Sequence, residues 1–427
     1  MNICVIGVGR VGLPLLTYFS DNSVIIDNKF YGFDVNKEYI ERLKTENYPY
    51  QENVAPEFFC DDIEEVFEDN KEKITFTSNW AEVPDCDVYI ITVGTPMDEE
   101  GNARVDAVEK AIQKINLSHV VRESKKKKLI VLRSTVFPGT TQMISKILVD
   151  PERMTLIFCP ERIAQGKTFV EYMNPELVGA ETEDDYKMFV EFWMQFFPTG
   201  KKFFHLTWKE AELGKLMTNM YRYVNFALAN EFFLISDRHG CNYEKIRQAV
   251  KTDYPRADLP NASPNVSGPC LFKDGEFLVA DVPYNELIRT ALVINESMVE
   301  KIAQYVKDYS DQYEMFGNEK LETIVILGAS FKANSDDTRN SLSFKLKKVL
   351  KRMGFDVKII DPEAAGNSKL VDEMWWCERA DAYVLMTPHD YFDEKFYNWL
   401  KKNVPMIDFW KHFEASKATK NGVYITK

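Results

Sequence analysis

No run of 18 apolar residues occurs anywhere in the 427-residue chain, so a membrane-crossing helix is not expected. The seven cysteines (Cys4, Cys60, Cys86, Cys159, Cys241, Cys270, Cys377) are scattered, odd in number and never spaced C-x-x-C. That pattern excludes a disulfide framework and a cysteine zinc site, and it points to a reducing compartment. Histidine is scarce: His119, His205, His239, His389 and His412 form no i, i+4 pair, so no metal is expected. Positive charge is short too. With 53 Lys and Arg against 66 Asp and Glu the net charge is -13, which excludes a general nucleic-acid surface. A diphosphate ligand would have to be drawn by a local cluster of donors. The opening Met1-Asn2-Ile3-Cys4-Val5-Ile6-Gly7 enters a strand-like segment without the basic flank or cleavage site of a signal peptide, and a cytoplasmic protein is expected.

What is present is a globular composition, 45% hydrophobic and 28% charged, in a chain too long for one core. Ile3–Ile6, Phe30–Phe33, Val88–Val93, Leu129–Leu132 and Leu156–Phe158 read as strands alternating with helical stretches, which predicts a parallel sheet with crossover helices. Trp208 to Ser236 holds only Gly214 and no Pro, and Leu213, Leu216, Met220, Val224 and Ala227 recur at steps of three and four. One long helix is expected there. Tyr254 to Pro269, rich in Pro, Asn and Ser, reads as an irregular loop. After Gly317-Asn318-Glu319-Lys320 the opening pattern returns: strand Thr323–Leu327, Gly328, helix Leu342–Met353, strand Val357–Ile360 and Asp361. Ala382–Met386 before Thr387-Pro388 echoes Val88–Val93 before Gly94-Thr95-Pro96. The expected fold is α/β, two Rossmann-like doubly wound parallel-sheet domains joined by a long central helix and a helical middle domain. The boundaries fall at 1–200, 201–316 and 317–427. The lysine run 125–128 reads as a solvated loop before a strand.

Gly7-Val8-Gly9-Arg10-Val11-Gly12 is a G-x-G-x-x-G between a strand and a helix, and Asp34 closes the next strand 22 residues beyond Gly12. The first glycine permits a tight turn, the second lets the backbone approach a pyrophosphate, and the third lets the helix pack closely. Asp34 would accept bonds from a ribose diol and repel a 2′-phosphate, favouring NAD over NADP. Val93-Gly94-Thr95-Pro96 and Arg133-Ser134-Thr135-Val136-Phe137-Pro138-Gly139-Thr140 follow strands, where hydroxyls suit a ligand or serve in ordinary turns. Lys215 and Asn219, four apart, share one helix face, as a solvated pair or as site donors. In Gly268-Pro269-Cys270-Leu271-Phe272-Lys273-Asp274 a cysteine precedes an ammonium and a carboxylate. It reads either as an activated thiol with a nearby base or as an inert buried cysteine.

Taken in order, these segments resemble the UDP-glucose/GDP-mannose dehydrogenase family across almost the whole chain, together with Pro160-Glu161-Arg162, Ala211-Glu212-Leu213-Gly214-Lys215, Asn230-Glu231, Phe331-Lys332, Asp337-Thr338-Arg339 and Asp361-Pro362. The resemblance implies NAD as cofactor and a four-electron oxidation of the C6 alcohol of a nucleotide-linked sugar, with Cys270 passing through a thiohemiacetal and a thioester. It implies Lys215 and Asn219 as oxyanion donors and Asp274, Thr135 and Glu161 as the groups that position or deprotonate water. Gly7, Gly9, Val11, Gly12, Asp34, Thr95, Thr135, Lys273 and Arg339 would hold the cofactor; Glu161, Arg162, Lys215, Asn219, Arg256 and Lys332 would hold the sugar nucleotide. Arg256 would cross the interface of a homodimer.

The sequence also departs from the family. Asn265-Val266-Ser267-Gly268-Pro269 keeps one glycine where the family has several, Asp408-Phe409-Trp410-Lys411 replaces Asp-x-Arg-Asn, and Arg10 stands where tyrosine is common. Arg162, and the 14 residues from Arg256 to Cys270, resemble the branch acting on UDP-N-acetylhexosamines rather than on UDP-hexoses. Two other readings fit part of the pattern: a single-step β-hydroxyacid-type dehydrogenase, and a catalytically silent nucleotide-binding protein.

Overall fold

The computed structural model describes all residues except 26, 51–62, 99–103, 125, 149, 151, 164–170, 198–199, 267, 269–270, 281, 318, 365–370, 401–403, 410–416, 419–423 and 427. The chain divides into two compact units, one formed by Met1–Thr218 with Lys273–Asp281, the other by Asn219–Phe272 with Val282–Lys427.

The first unit is built on β1 (Asn2–Ile6), β2 (Lys29–Phe33), β3 (Ile74–Thr77), β4 (Val88–Ile91), β5 (Lys128–Leu132), β6 (Met154–Phe158), β7 (Glu176–Gly179) and β8 (Phe203–Leu206). Their order in the sheet is β3-β2-β1-β4-β5-β6-β7-β8, the doubly wound order with two strands added at one edge. Every residue of β4, β5 and β6 is buried, as expected for parallel strands covered on both faces. The helix Gly12–Asp21 is buried along nearly its whole length and is mostly apolar for that reason. Phe19 on it stacks on Phe196 at 4.1 Å and meets Trp193 edge-on at 5.1 Å.

The expected parallel sheet carries one antiparallel step toward its edge, β7 against β6, with Phe158 opposite Gly179; β7 and β8 are short, and β8 is half-exposed. One expectation is corrected here. Lys128 is not in a solvated loop. It is the first residue of β5, 1% exposed, with Nζ 2.5 Å from Asp85 Oδ1, an ion pair whose angles miss a hydrogen bond. Lys126 and Lys127 are exposed as expected, and Lys125 lies outside the described residues.

The second unit carries a sheet ordered β10-β9-β11-β12-β14-β13, with β9 (Thr323–Leu327), β10 (Asp356–Ile360), β11 (Ala382–Leu385), β12 (Met406–Asp408), β13 (Lys417–Ala418) and β14 (Tyr424–Thr426). β10, β9, β11 and β12 are parallel, β14 runs antiparallel to β12, and β13 pairs antiparallel with β14 at the edge. Its helices include Tyr243–Lys251, capped by Asn242 on Lys245 N–H, the 30-residue Glu286–Met315, and Leu342–Arg352, capped by Ser341 on Ser343 N–H. The long helix expected from Trp208 runs to Arg238. No helix or strand is present in the described residues of 252–268. None of the described helices is long and apolar enough to cross a membrane.

The internal repeat is physical. Gly7 and Gly328 both end the first strand of their unit at φ 93°, and each donates its N–H at 2.8 Å to the residue closing the next strand, Phe33 and Ile360 respectively. A side chain on Gly7 would meet Val93 at 3.0 Å, and one on Gly328 would meet Thr387 at 2.4 Å. Both positions need glycine for conformation and for space.

Candidate active site

The glycine loop leads from β1 into Gly12–Asp21. A β-carbon on Gly12 would lie 2.2 Å from Gly7 O and 2.5 Å from Thr92 Oγ1, whereas one on Gly9 would meet nothing within 4 Å. Gly12 is thus a close-packing glycine, and Gly9 leaves room for a ligand. Thr92 donates to Gly7 O at 2.7 Å and fixes the turn from the neighbouring strand. Val11, partly exposed, is the N-cap, and no side chain caps the helix, which suits its N-terminal dipole to a phosphate.

Beside the loop lies a cleft of about 520 Å³ lined by Gly7, Gly9, Phe33, Asp34, Val93, Gly94, Lys110 and Lys114, among others. Asp34 Oδ1 accepts the Asn36 N–H at 2.9 Å, an arrangement that fixes the carboxylate at the end of β2. The opening beside Gly9, the uncapped helix and the carboxylate over a ligand-sized cleft fit a dinucleotide with a free 2′-hydroxyl. Lys110 and Lys114, absent from the sequence-based reading, face this cleft; their i, i+4 spacing on the helix after β4 was the available signal.

Further along the sheet, Lys273 Nζ donates to Thr95 Oγ1 at 3.1 Å and Thr95 Oγ1 donates to Thr135 O at 2.5 Å. Lys273 and Asp274 belong to the helix Leu271–Val279 and, from Lys273 onward, to the first unit. Asp274 is 1% exposed, with Lys273 Nζ 3.6 Å from Oδ1. Cys270 itself lies outside the described residues, as do Ser267 and Pro269.

Glu161 follows β6. Its Oε2 accepts Arg133 Nη2 at 2.7 Å, and its Oε1 accepts Arg162 N–H at 2.9 Å and Ile163 N–H at 3.2 Å. The Arg162 guanidinium donates to Pro175 O. Arg133 is 1% exposed; burial alone would lower its pKa, but Glu161 and Glu176 more than reverse that and hold it fully charged. In the sequence Arg133 stands only as the first residue of a turn after a strand, with no sign of these partners. Lys215 and Asn219 are both buried on the helix Trp208–Arg238. One turn before Lys215, fully buried Glu212 accepts Gly139 N–H at 2.5 Å, Thr141 N–H at 2.8 Å and Thr141 Oγ1 at 2.6 Å. It caps the helix Thr140–Leu148 and ties the Thr135 segment to the lysine helix.

In the second unit Arg256 is exposed, its guanidinium 5.0 Å from the Tyr254 ring centroid. Lys332 is half-buried in the loop after β9, and exposed Arg339 holds Asp337 through Nε at 2.8 Å and Nη2 at 2.6 Å. Buried Asp361, the counterpart of Asp34, accepts Ala329 N–H at 2.6 Å and Ser330 N–H at 2.8 Å, and His389 Nε2 stands 3.2 Å away. His389 Nδ1 accepts Asn334 N–H at 2.9 Å, which puts the ring hydrogen on Nε2, toward Asp361. This carboxylate occupies the loop donors that the first unit leaves open, so the repeat has diverged from dinucleotide binding. Asn265 of the shortened glycine run bonds Ser330 O, Thr387 Oγ1 and Leu342 N–H. Gly268, the one glycine kept, has φ 112° and lies against the Phe331 ring.

Residues 1–197 match the NAD binding domain of the UDP-glucose/GDP-mannose dehydrogenase family, 209–297 its central domain and 325–415 its UDP binding domain. UDP-N-acetyl-D-mannosamine dehydrogenase of Methanocaldococcus jannaschii is 32% identical over 420 residues, covering 95% of this chain and 88% of that protein. UDP-glucose 6-dehydrogenase of Rickettsia prowazekii is 26% identical, covering 95% and 94%. The solved UDP-D-ManNAc dehydrogenase of Pyrococcus horikoshii superposes with a TM-score of 0.82 at 25% identity over 99% of this chain and 100% of that one. The dinucleotide cleft, the diverged repeat and three successive domain matches agree: the chain belongs to the UDP-glucose/GDP-mannose dehydrogenase family of NAD-dependent oxidoreductases.

Proposed function

We propose that the protein oxidises the C6 alcohol of a UDP-linked N-acetylhexosamine to the carboxylate. Arg162 and the similarity to UDP-N-acetyl-D-mannosamine dehydrogenases favour that sugar over UDP-glucose. The observation that carries the reading is the Lys273–Thr95–Thr135 cluster, which brings the segment after Cys270 to the ends of the strands that border the glycine cleft.

Gly7, Gly9, Val11, Gly12 and Asp34 would hold NAD with Thr95, Thr135, Lys273 and Arg339, and the bound cofactor supplies the hydride acceptor, used twice per sugar. The net balance is R–CH2OH + H2O + 2 NAD⁺ giving R–COO⁻ + 2 NADH + 3 H⁺. Cys270 adds its sulfur to the C6 aldehyde, giving a thiohemiacetal; loss of the carbon-bound hydride and the hydroxyl proton leaves a thioester; water cleaves it and returns the thiol. Lys215 and Asn219, four apart on one helix, would donate to the oxygen that carries charge, and their buried setting limits reorganisation. Asp274 would take the proton of the attacking water, with Thr135 and Glu161 orienting it.

Residues 1–200 serve as the NAD domain, 201–316 as the cysteine-bearing dimerisation domain and 317–427 as the nucleotide-sugar domain, where Lys332 reaches the substrate. Met217, Tyr221, Leu228 and Ile235 are exposed at steps of four and seven on the long helix, an apolar stripe that supports a homodimer; Arg256 would then complete the partner's site. The reaction takes place in the cytoplasm. NADH formed per sugar consumed, measured across UDP-glucose, the UDP-N-acetylhexosamines and GDP-mannose, tests the reading: two with a UDP-N-acetylhexosamine supports it, while one, or turnover of none, contradicts it.

A further inference from the structure

The cleft beside the glycine loop carries cations that the glycine motif does not require. Lys110 and Lys114 stand one turn apart on the helix Asp106–Leu117, which follows β4 and buries Val108, Ala111, Ile112 and Ile115. The four-residue step puts both lysines on one side of that helix, where they line the cleft together with Phe33 and Asp34 from the end of β2. Lys110 is exposed, with Nζ 3.4 Å from Asp106 Oδ2, a surface pair of little strength. Lys114 is half-buried, its Nζ 5.7 Å from the Phe33 ring centroid. Among the described residues no carboxylate pairs with it.

Phe33 is the residue before Asp34, so the Lys114 ammonium stands by the strand end whose next residue carries the carboxylate. A half-buried ammonium without a counter-ion attracts an anionic or acceptor group in whatever fills the cleft. Asp34 keeps that attraction from acting on a phosphate. Its charge repels a 2′-phosphate, and its Oδ1 occupies the Asn36 N–H at 2.9 Å. Without the carboxylate, the Asn36 amide loses its acceptor, and that amide, Lys114 and Lys110 remain as donors toward the ribose end of the cleft. Lysine binds phosphate as a point charge on a flexible stem, so the site needs no rigid fork.

We propose that Lys114, assisted by Lys110, forms a latent subsite for a 2′-phosphate on the adenosine ribose, and that Asp34 alone holds the protein to NAD. The inference rests on the placement of NAD in this cleft proposed above, and not on which sugar is oxidised.

The test is the binding of NADH and NADPH, followed by energy transfer from tryptophan to the reduced nicotinamide. It uses the whole chain as wild type, Asp34→Ser, Asp34→Ser/Lys114→Met and Asp34→Ser/Lys110→Met/Lys114→Met, with kcat/KM for NAD and NADP measured alongside. The ratio of the two Kd values is the readout, because a general loss of affinity leaves it unchanged. The wild type should prefer NADH. Asp34→Ser should move the ratio toward NADPH by about 10²-fold, since relief of repulsion and a new charge-assisted bond contribute about 10-fold each. Lys114→Met keeps the bulk of the stem without its charge and should reverse about 10-fold of that shift; adding Lys110→Met should reverse more. Added salt should weaken NADPH binding to Asp34→Ser more steeply than NADH binding.

An Asp34→Ser protein that still excludes NADPH would overturn the proposal, because another group then does the excluding. NADPH binding that survives both lysine substitutions unchanged would overturn it too, because the donors then lie elsewhere. Should the triple variant fail to fold, the comparison of Asp34→Ser with Asp34→Ser/Lys114→Met still decides. A wild type that binds neither dinucleotide would overturn the placement of the cofactor itself, whereas a wild type that binds NADH, with a ratio indifferent to the lysines in the Asp34→Ser background, overturns only this inference.

Discussion

Glu212→Ala removes the acceptor for two backbone N–H groups and one hydroxyl at the start of the helix Thr140–Leu148. Glu212 and Thr141 are fully buried, so the donors of Gly139 and Thr141 are left without a partner. Each such orphan costs about 1–3 kcal/mol, and two of them cost about 2–6 kcal/mol, toward the low end if water fills the space left by the side chain. For a unit of this size the corresponding shift in melting temperature is about 5–20 °C downward. Burial also raises the Glu212 carboxyl above its ordinary value, with Thr141 and Gly139 opposing. A neutral Glu212→Gln should therefore lose less than the alanine, because it keeps one acceptor. Calorimetry of the wild type and both variants, with urea titration for the free energy, measures the effect. An alanine variant within about 0.5 kcal/mol of wild type would refute the idea that this carboxylate ties the Thr135 segment to the lysine helix.

Three further outcomes are expected. Asp34→Ala should narrow the preference for NAD over NADP, read as the ratio of kcat/KM values; equal use of both by the wild type would refute the assignment of Asp34. Burial pushes the Asp361 carboxyl up, but donation from His389, Ser330 and Ala329 outweighs it and leaves the group below its ordinary value of 3.8. Its contribution is thus present above about pH 3.8 and lost as pH falls through the lower folded value. Asp361→Asn should cost about 1.5–3 kcal/mol at neutral pH and flatten the acid denaturation of the second unit, and an unchanged acid profile would refute this. Mixing inactive Cys270→Ala with inactive Arg256→Ala, in preparations shown to exchange subunits, should restore activity through hybrid dimers; no recovery contradicts a shared site.

The glycine loop was legible in the sequence because each glycine answers a separate demand: Gly7 for φ, Gly9 for open space, Gly12 for a contact of 2.2 Å. The repeat was legible for the same reason, since Gly328 and Asp361 stand where Gly7 and Asp34 do. The long helix was visible in its period and ended within two residues of the expected Ser236. Buried charge was not legible. Lys128 reads as part of a solvated loop, and nothing in the sequence marks Arg133, Lys201 or Glu212 as buried until the partners from distant segments are known: Asp85, Glu161, Glu176 and the Gly139–Thr141 turn. Edge strands escaped as well, because β7 and β8 are too short to show a period and β8 stays half-exposed. The divergence of the second unit was hidden for a related reason: Asp361 looks like Asp34 in sequence, and only its bonds to Ala329 and Ser330 distinguish it.

The central claim is that Cys270 carries the sugar covalently, and intact mass after acid quench tests it most directly. With NAD and a UDP-N-acetylhexosamine, Asp274→Asn should turn over about 10²–10⁴-fold more slowly and accumulate protein heavier by one sugar nucleotide at Cys270. Cys270→Ala should bind NAD, show no added mass and form no acid. Full oxidation to the acid by Cys270→Ala would contradict the account.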